Sequence, residues 1–264
     1  MRRTIAVVNQ KGGVGKSTTA VNLGAALALD GSRVLICDLD PQANATSGLG
    51  VPKPTASAST YGVLIEGRAL HAVVVPTRVP GLFVLPSSAH LAGAEVELVG
   101  MLSRETRLRT ALEPEADRYD LVLLDCPPSL GLLTVNALTA ATEVLIPIQC
   151  EYYALEGLSQ LLDSITLVQR FLNPGLEITG VLLTMYDGRT RLAGQVADEV
   201  RRFFRDKVYE TVIPRSVRLA EAPSYGMPVM FFDPVSRGAE AYVNLAKEVV
   251  TRGRDEAALV GHAG

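Results

Sequence analysis

The stretch NQKGGVGKSTTAVNLG, residues 9–24, decides the fold of this chain. It follows a short apolar run and contains the G-K-S-T signature of the phosphate-loop pattern G-x-x-x-x-G-K-[ST]. Gln10 stands where that pattern has its first glycine, and Lys11 adds a second lysine ahead of the glycines. The stretch therefore predicts a phosphate-binding loop with one lysine more than the common pattern requires.

The composition of this loop suits a phosphate ligand. Its glycines let the backbone turn tightly and direct N–H groups at one point, where the following helix N-terminus adds positive potential. Lys16 can reach the outer phosphates of a nucleotide, and the Ser17 hydroxyl suits Mg²⁺. A glycine-rich turn without a ligand is the alternative, which is weak because the G-K-S-T run lies between a predicted strand and a predicted helix.

Two acidic stretches follow other apolar runs. VLICDLDPQ places Asp38 and Asp40 just beyond the second predicted strand, and LVLLDCPPS places Asp125 after four apolar residues. The latter is the Walker B arrangement, in which an apolar strand delivers a carboxylate to the magnesium shell. Because ligands of open α/β sheets gather at the carboxyl ends of the strands, these positions are candidates for a ligand site, with Asp125 as the candidate for the magnesium shell. A loop-capping role is the alternative for each aspartate taken alone.

Apolar runs alternate with helical patterns along the chain, which predicts an α/β fold with a doubly wound, mostly parallel sheet and helices on both faces. The predicted strands are 4–8, 33–38, 82–85, 121–125, 144–148, 178–184 and 208–213, and the predicted helices include 17–29, 154–171 and 237–251. We expect one phosphate-loop domain over residues 1–251. Residues 252–264 lack periodicity, so we expect a disordered tail there.

Composition limits the classes of function. The 264 residues carry a net charge of −3, which gives no overall sign of a nucleic-acid binder. Cys37, Cys126 and Cys150 lie in or near apolar runs without a C-x-x-C pair, so we expect buried, reduced cysteines and no zinc site. There is no signal-peptide pattern and no apolar run of about eighteen residues, so we expect a cytoplasmic protein without a spanning helix.

Five motifs together resemble the ParA/Soj chromosome- and plasmid-partitioning ATPases of the deviant Walker A class. They are KGGVGKS, DLDPQ, DCPPS, EYYALEGL and VRLAEAPSYGMPV, and the likeness extends from residue 1 to about residue 250. MinD and the nitrogenase iron proteins share the deviant loop alone, whereas the later motifs favour the Soj-like branch. The likeness is to the short form, without an N-terminal DNA-binding extension.

The resemblance implies a phosphate-loop NTPase that binds ATP and Mg²⁺. In this class the extra lysine, here Lys11, reaches the nucleotide of a second subunit, so that two ATP molecules are sandwiched in a homodimer. Asp40 would position or activate the attacking water. Ser17 would bind Mg²⁺ directly and Asp125 through water, and Asp40 is a further candidate ligand through water. A solvated loop lysine is the alternative for Lys11.

The same likeness implies a set of site residues. Glu151 would lie at the dimer interface with Lys11, although a helix-flank role is equally open. The segment around Pro214 would line the adenine. The implied catalytic residues are Lys11, Lys16 and Asp40, and the implied nucleotide-binding residues are Lys11, Gly12, Gly13, Val14, Gly15, Lys16, Ser17, Thr18, Pro214 and Arg215.

A local basic segment interrupts the acidic chain. Residues 189–218 include eight basic and four acidic residues, a net charge of +4, whereas the remainder carries −7. Sequence-independent DNA binding needs only such a surface, because phosphate contacts dominate it. A solvated helix face is the alternative, which we retain for the arginines between 201 and 205. The DNA-binding candidates implied by Soj-like relatives are Arg189, Arg218, Arg215 and Lys247.

The resemblance implies an ATP-dependent switch of DNA segregation. Such a protein is a slow ATPase that dimerises on ATP, binds double-stranded DNA without sequence preference on the nucleoid, and is reset by a ParB-type protein. One alternative is a MinD-like membrane-associated ATPase for division-site placement, which needs an amphipathic C-terminal helix that RGRDEAALVGHAG does not predict. Another is an electron carrier of the iron-protein type, which needs a cysteine pair around a shared cluster.

Overall fold

A seven-stranded sheet forms the centre of the computed structural model, which describes residues 3–152 and 157–261, with residues 254–261 as backbone only. The strands are β1 (Arg3–Val7), β2 (Val34–Asp38), β3 (Val75–Pro76), β4 (Leu82–Leu85), β5 (Leu121–Asp125), β6 (Glu143–Gln149) and β7 (Glu177–Thr184). Their order is β3-β4-β2-β5-β1-β6-β7, and every neighbouring pair is parallel except β3 with β4. The mostly parallel sheet predicted from the sequence is confirmed.

Helices cover both faces of this sheet. In the described residues they are α1 (Lys16–Leu29), α2 (Asn44–Gly48), α3 (Thr60–Leu64), α4 (Leu91–Val99), α5 (Arg107–Leu112), α6 (Leu132–Ala140), α7 (Leu158–Phe171), α8 (Arg191–Phe204), α9 (Val217–Glu221), α10 (Val229–Phe232) and α11 (Arg237–Gly261). Successive residues of a strand face opposite sides. Ile5 and Val7 therefore pack with α1 and α11, whereas Ala6 and Val8 pack with α4 to α8. This two-sided core confirms the doubly wound α/β fold.

The expected strand at 208–213 is wrong. That segment runs beside β7 with two backbone hydrogen bonds, from Tyr209 N to Val181 O and from Ile213 N to Leu183 O, each 2.9 Å long. One isolated bridge joins Val208 to Val181, but no ladder forms. Val208, Tyr209 and Ile213 are buried, so the apolar pattern reflects packing against the sheet edge. The short strand β3, by contrast, has no clear sequence signal.

The last helix is longer than expected. It was predicted to end at residue 251 before a disordered tail, but α11 continues to Gly261, and residues 262–264 lie outside the described part. Arg252 anchors this extension through hydrogen bonds to the carbonyls of Asp206 and Val208 and an ion pair with Glu248. The residues beyond 251 include arginine, glutamate, alanine and leucine, which have high helix propensity. Such residues favour a helix even where the sequence lacks amphipathic periodicity.

The prediction for the cysteines is met within the described residues. All three cysteines are free and buried. No described helix is both long enough and apolar enough to cross a membrane. Helix α7 begins at Leu158, so the predicted helical start at residues 154–156 falls outside the described part of the chain.

The strand order determines where the polar loops meet. Strand β5 lies between β1 and β2. Because these three strands are parallel, their carboxyl ends lie at one edge of the sheet. The loop after β1, Asp38 at the end of β2, Asp40 just beyond it and Asp125 at the end of β5 therefore converge there.

Candidate nucleotide site and DNA surface

The glycine-rich loop between β1 and α1 has the backbone geometry of a phosphate cradle. Gly15 lies at φ 92°, in the left-handed region that strongly favours glycine, and precedes the first residue of α1. A Cβ atom at Gly12 or Gly13 would meet no atom within 4 Å, so this part of the loop borders open space. The N-terminus of α1 therefore faces the space in front of the loop and can attract an anion.

Lys16 is the buried cation of this loop. Its ammonium donates a hydrogen bond of 3.0 Å to the carbonyl of Lys11, and the residue is only 6% exposed. Burial lowers the pKa of Lys16, while the charges of Asp125 and Asp40 partly oppose that shift. A lysine in this position gains most from a polyanionic ligand, because the ligand returns the electrostatic stabilisation lost on burial.

A cavity of about 530 Å³ opens in front of the loop. A cleft of this volume is in the range typical of small-molecule sites. Its lining residues are Gly12, Gly13, Gly15, Lys16, Ser17, Thr18, Val21, Asn22, Asp40, Gln42, Asn44, Ser47, Gly48, Pro128, Met185, Ala222, Pro223, Ser224 and Met227. Six of the predicted nucleotide-binding residues, from Gly12 to Thr18 except Val14, thus line one cavity. Val14 is buried, and its carbonyl accepts a hydrogen bond from Thr184.

Asp125 and Asp38 are register partners on β5 and β2, and both are fully buried. Neither carboxylate oxygen of Asp125 has a hydrogen-bond partner in the described part of the chain. Burial first, and then the charge of Asp38, raise the pKa of Asp125 well above its usual value; the nearby Ser17 hydroxyl partly opposes the rise without reaching hydrogen-bond geometry. An unpaired buried carboxylate beside a serine hydroxyl is a donor set that suits Mg²⁺.

Asp40 lies at the edge of the cavity and is 6% exposed. Its carboxylate accepts a hydrogen bond from the N–H of Gln42, and its N–H donates to Asp38. The loop then turns through Ala43, whose φ of 58° is unusual for a residue other than glycine. Asp40 is therefore held beside the cavity by a constrained turn, where it can act on a ligand.

Lys11 does not line this cavity. It lines a second, open cleft of about 530 Å³ beside Pro128, Gly157 and Gln160. The adjacent Gln10, at the position where the common pattern has glycine, donates a 2.6 Å hydrogen bond to the carbonyl of Gly157 at the start of α7. Gln10 thus attaches the loop to α7, and the Lys11 side chain faces a cleft outside the cavity of its own subunit.

The far wall of the cavity was not identified from the sequence. Residues 222–227 belong to the motif VRLAEAPSYGMPV, which indicated the family but carried no assigned role in the site. Gly50 and Gly226 hold this wall against α2, since a Cβ at Gly50 would lie 2.6 Å from the Gly226 carbonyl oxygen. Pro214 and Arg215, predicted beside the base, are not among the lining residues in the described chain, whereas Met185 is.

Two of the predicted DNA-binding arginines lie side by side. Arg189 follows β7, its side chain is 90% exposed, and it forms a two-point ion pair of 2.7 and 2.8 Å with Asp187. The N–H of Arg215 donates to the Tyr186 carbonyl, which brings the Arg215 segment against this loop. Hydrogen bonds from Arg189 lower the pKa of Asp187 to about 2, and the charge of Arg215 contributes further.

The other two candidates differ in their surroundings. Arg218, on α9, pairs with Glu221 at 3.0 Å and with Asp233 at 3.1 Å. Lys247, on α11, is exposed beside Leu29 and Asp30 at the C-terminal end of α1. Since α1 begins at the phosphate loop, its C-terminus lies toward the opposite edge of the sheet. The structure therefore separates Lys247 from the arginine-bearing loop after β7.

Comparison with known proteins agrees with this architecture. Residues 2–178 match a family model described as AAA domain. The chain is 58% identical to the sporulation initiation inhibitor protein Soj of Bacillus subtilis, over 96% of this chain and 100% of that protein. It is 52% identical to the chromosome partitioning protein ParA of Myxococcus xanthus, over 95% of this chain and 88% of that protein. The chain belongs to the ParA/Soj family of partitioning ATPases.

A solved structure supports the phosphate-loop NTPase fold. It is named cobyrinic acid a,c-diamide synthase, comes from Mycobacterium smegmatis, and contains bound ADP and magnesium. Its TM-score is 0.85 at 38% identity, and the match covers 96% of each chain. That protein is named for a synthase activity rather than for partitioning, but its identity to this chain is lower than that of Soj or ParA.

For a ParA/Soj family member, the position of Glu151 is of interest. This residue lies two positions beyond the end of β6, is half-buried, and its N–H donates to the Gln149 carbonyl. Residues 153–156, which are half of the EYYALEGL motif, lie outside the described chain. The role of Glu151 at a dimer interface thus stays a prediction.

Proposed function

We propose that this protein is an ATP-dependent switch of DNA segregation. The observation that carries the proposal is the separation of the two lysines of one loop. Lys16 lines the nucleotide cavity of its own subunit, and Lys11 faces an open cleft outside it. A loop of this kind can bind one nucleotide and offer a cation to another. The Soj and ParA relatives support a role in DNA segregation for the protein as a whole.

ATP is the proposed ligand of the cavity. The backbone N–H groups of the loop and Lys16 bind the phosphates, and the wall formed by residues 222–227 with Met185 encloses the remainder of the nucleotide. Ser17 and Asp125 would hold Mg²⁺, the latter through water, with Asp40 as a further ligand through water. When bound, the ion would neutralise charge on the phosphates. The unpaired Asp125 carboxylate supports this assignment.

Hydrolysis of ATP relies on positioning and electrostatics rather than on a covalent intermediate. Asp40 orients the attacking water, because its buried carboxylate lies at the cavity edge and its turn is constrained. The reaction is slow in the isolated protein and is stimulated by a ParB-type partner. The rate of ATP hydrolysis thus sets how long the protein stays in its ATP-bound state.

The homodimer forms around two ATP molecules. Lys11 of each subunit contacts the phosphates bound by the other, since an ammonium is attracted to a site only when the polyanion is present. The open cleft around Lys11, Pro128 and Gln160 is the surface that the partner covers. Glu151 lies close along the chain to this surface and contributes to the same interface.

DNA binds to the dimer without sequence preference. Arg189, Arg215 and Arg218 provide phosphate contacts on each subunit, and the dimer doubles their number. Lys247 adds a contact only if the DNA also reaches the end of α1. The protein would thus act in the cytoplasm on the nucleoid, and hydrolysis would release it.

One experiment tests this function as a whole. Light scattering and a DNA mobility-shift assay are run with ATP, with ADP and without nucleotide. A dimer and a DNA shift in ATP alone are expected. A monomer that binds no DNA under any condition would contradict the proposal. Anionic vesicles in a parallel sedimentation assay identify a MinD-like protein, which would bind them in ATP.

A further inference from the structure

Asp38 is the most completely bonded carboxylate next to the nucleotide cavity, yet it does not line it. It is fully buried at the end of β2. One oxygen accepts the N–H of Asp40 at 3.1 Å. The other accepts both the N–H of Thr46 at 2.8 Å and its hydroxyl at 2.6 Å. This one side chain therefore connects the Asp40 turn to helix α2.

Helix α2 needs this connection because it has no cap of its own. Its N-cap residue, Ala43, has no side-chain acceptor and lies in the left-handed region at φ 58°. Unpaired N–H groups in the first turn of a helix are normally satisfied by a polar residue at the N-cap. Here the Asp38 carboxylate accepts the N–H of Thr46, the third residue of the helix, from a different part of the chain.

Thr46 continues the network away from the cavity. Its hydroxyl, which donates to Asp38, also accepts the N–H of Ser87 beyond the end of β4 at 2.9 Å. The Thr60 hydroxyl donates to the Asp38 carbonyl at 2.8 Å. The Asp40 turn and α2 are thus fixed to two neighbouring strands. Both elements also contact the nucleotide space, because Asp40, Asn44 and Ser47 line the cavity.

We propose that Asp38 and Thr46 are positioning residues for hydrolysis, which fix the Asp40 carboxylate relative to α2 and the bound nucleotide. This inference rests on the proposed ATPase function. The pair touches no part of the cavity and acts through Asp40. Small displacements of a catalytic group reduce turnover far more than they reduce ground-state binding. Loss of the Thr46 hydroxyl should therefore lower kcat while the affinity for ATP is kept.

The test compares two substitutions at one position. Thr46→Val has nearly the same shape but removes the hydroxyl from the Asp38 carboxylate and from the Ser87 N–H. Thr46→Ser keeps the hydroxyl and loses only a methyl group. Thr139→Val is a matched control, since Thr139 is also a buried threonine and its hydroxyl has no hydrogen-bond partner in the described chain.

For Thr46→Val we expect kcat to be about tenfold lower than in wild type. KM for ATP and the Kd of a non-hydrolysable ATP analogue should stay within about twofold of their wild-type values. Thr46→Ser should recover most of the turnover, and Thr139→Val should leave it unchanged. The analogue Kd also shows that each variant is folded.

Three outcomes would overturn the inference. They are wild-type turnover by Thr46→Val, an equal loss of kcat and analogue affinity, and failure of Thr46→Ser to recover turnover. If Thr46→Val does not fold, Asp38→Asn is measured in the same way, because it keeps the side-chain shape and removes one acceptor. Wild-type protein that binds ATP without hydrolysing it would instead contradict the ATPase function itself.

Discussion

The Lys16 ammonium is hydrogen-bonded to the backbone carbonyl of Lys11 over 3.0 Å. The lysine of the nucleotide cavity thereby holds the main chain from which the second lysine extends. The two side chains lie in different clefts. Because the Lys16 ammonium is bonded to the Lys11 carbonyl, movement of Lys16 toward a phosphate would also act on the loop segment that presents Lys11. This bond therefore links the cavity lysine to the loop segment that presents Lys11.

Lys16→Ala is expected to lose nucleotide affinity by about 100-fold, because it removes a charged contact to the phosphates from a buried site. Lys11→Ala removes the same charge from the same loop and serves as the matched control. Isothermal calorimetry with ATP and Mg²⁺ should show tight binding by Lys11→Ala and weak binding by Lys16→Ala. Equal affinities in the two variants would refute the assignment of the cavity.

The Asp125 carboxylate predicts a stability that depends on pH in the absence of ligand. Its folded-state pKa is raised by burial and by Asp38, so the folded protein retains protons that the unfolded chain loses. Stability therefore falls as pH rises above the ordinary carboxyl value. Burial also raises the pKa of Asp38 to about 6. Asp38 therefore adds to the loss of stability between the ordinary carboxyl pKa and about pH 6.

Asp125→Asn should accordingly raise the melting temperature of the nucleotide-free protein by a few degrees at pH 8 and by less at pH 5. It should also lose the stabilisation that ATP and Mg²⁺ give to wild type. Thermal unfolding in a chelator, then with ATP and Mg²⁺, measures both effects. A lower melting temperature at pH 8 without ligand would count against an uncompensated charge at Asp125.

The acidic partners of the arginines predict how strongly DNA binds. Asp187 holds Arg189 in a two-point pair that a DNA phosphate must replace. Asp187→Asn should strengthen DNA binding by about two- to fivefold, since exposed ion pairs are weak. Glu199→Gln removes the same charge from the exposed surface of α8 without breaking an observed pair. Equal gains in both variants, measured by fluorescence anisotropy, would show a general charge effect instead.

The arginines themselves should be needed for DNA but not for dimerisation. Arg189→Glu with Arg218→Glu should reduce DNA affinity by at least about 100-fold, because each dimer loses several phosphate contacts. The loss should be similar on unrelated sequences, and the ATP-dependent dimer should persist in light scattering. Lys247→Glu is a useful comparison, as the structure places it near the other end of α1. Full retention of DNA by the double variant would exclude this surface.

The sequence predicts the parts of the site that depend on local pattern. The phosphate loop, Asp40 and Asp125 follow apolar strands, and parallel pairing brings the ends of such strands together whatever the remainder of the chain does. Lys16 and Ser17 are likewise recognisable from their spacing. These residues were predicted together, and the structure brings them to one sheet edge.

Long-range contacts explain what the sequence did not predict. The wall at 222–227 reaches the cavity because Gly50 and Gly226 allow close backbone contact across most of the chain length. Gln10 is attached to Gly157 in the same manner. Such contacts leave no periodic signal. The strand predicted at 208–213 is wrong for the opposite reason. Its buried apolar residues have the pattern of a strand, but the segment forms no ladder with β7.

The two variants Lys11→Ala and Asp40→Ala separate assembly from hydrolysis. Both should bind ATP, because Lys16 and the loop backbone remain. Asp40→Ala should form a stable dimer, since the nucleotide that joins the subunits is not cleaved. Lys11→Ala should stay monomeric, since the cation that crosses to the partner is missing.

The most direct measurement is therefore the molar mass of these variants and wild type by size-exclusion chromatography with light scattering in ATP and Mg²⁺. The account predicts a monomer for Lys11→Ala and a persistent dimer for Asp40→Ala, with ATP bound to both. A stable ATP-dependent dimer of Lys11→Ala would contradict it.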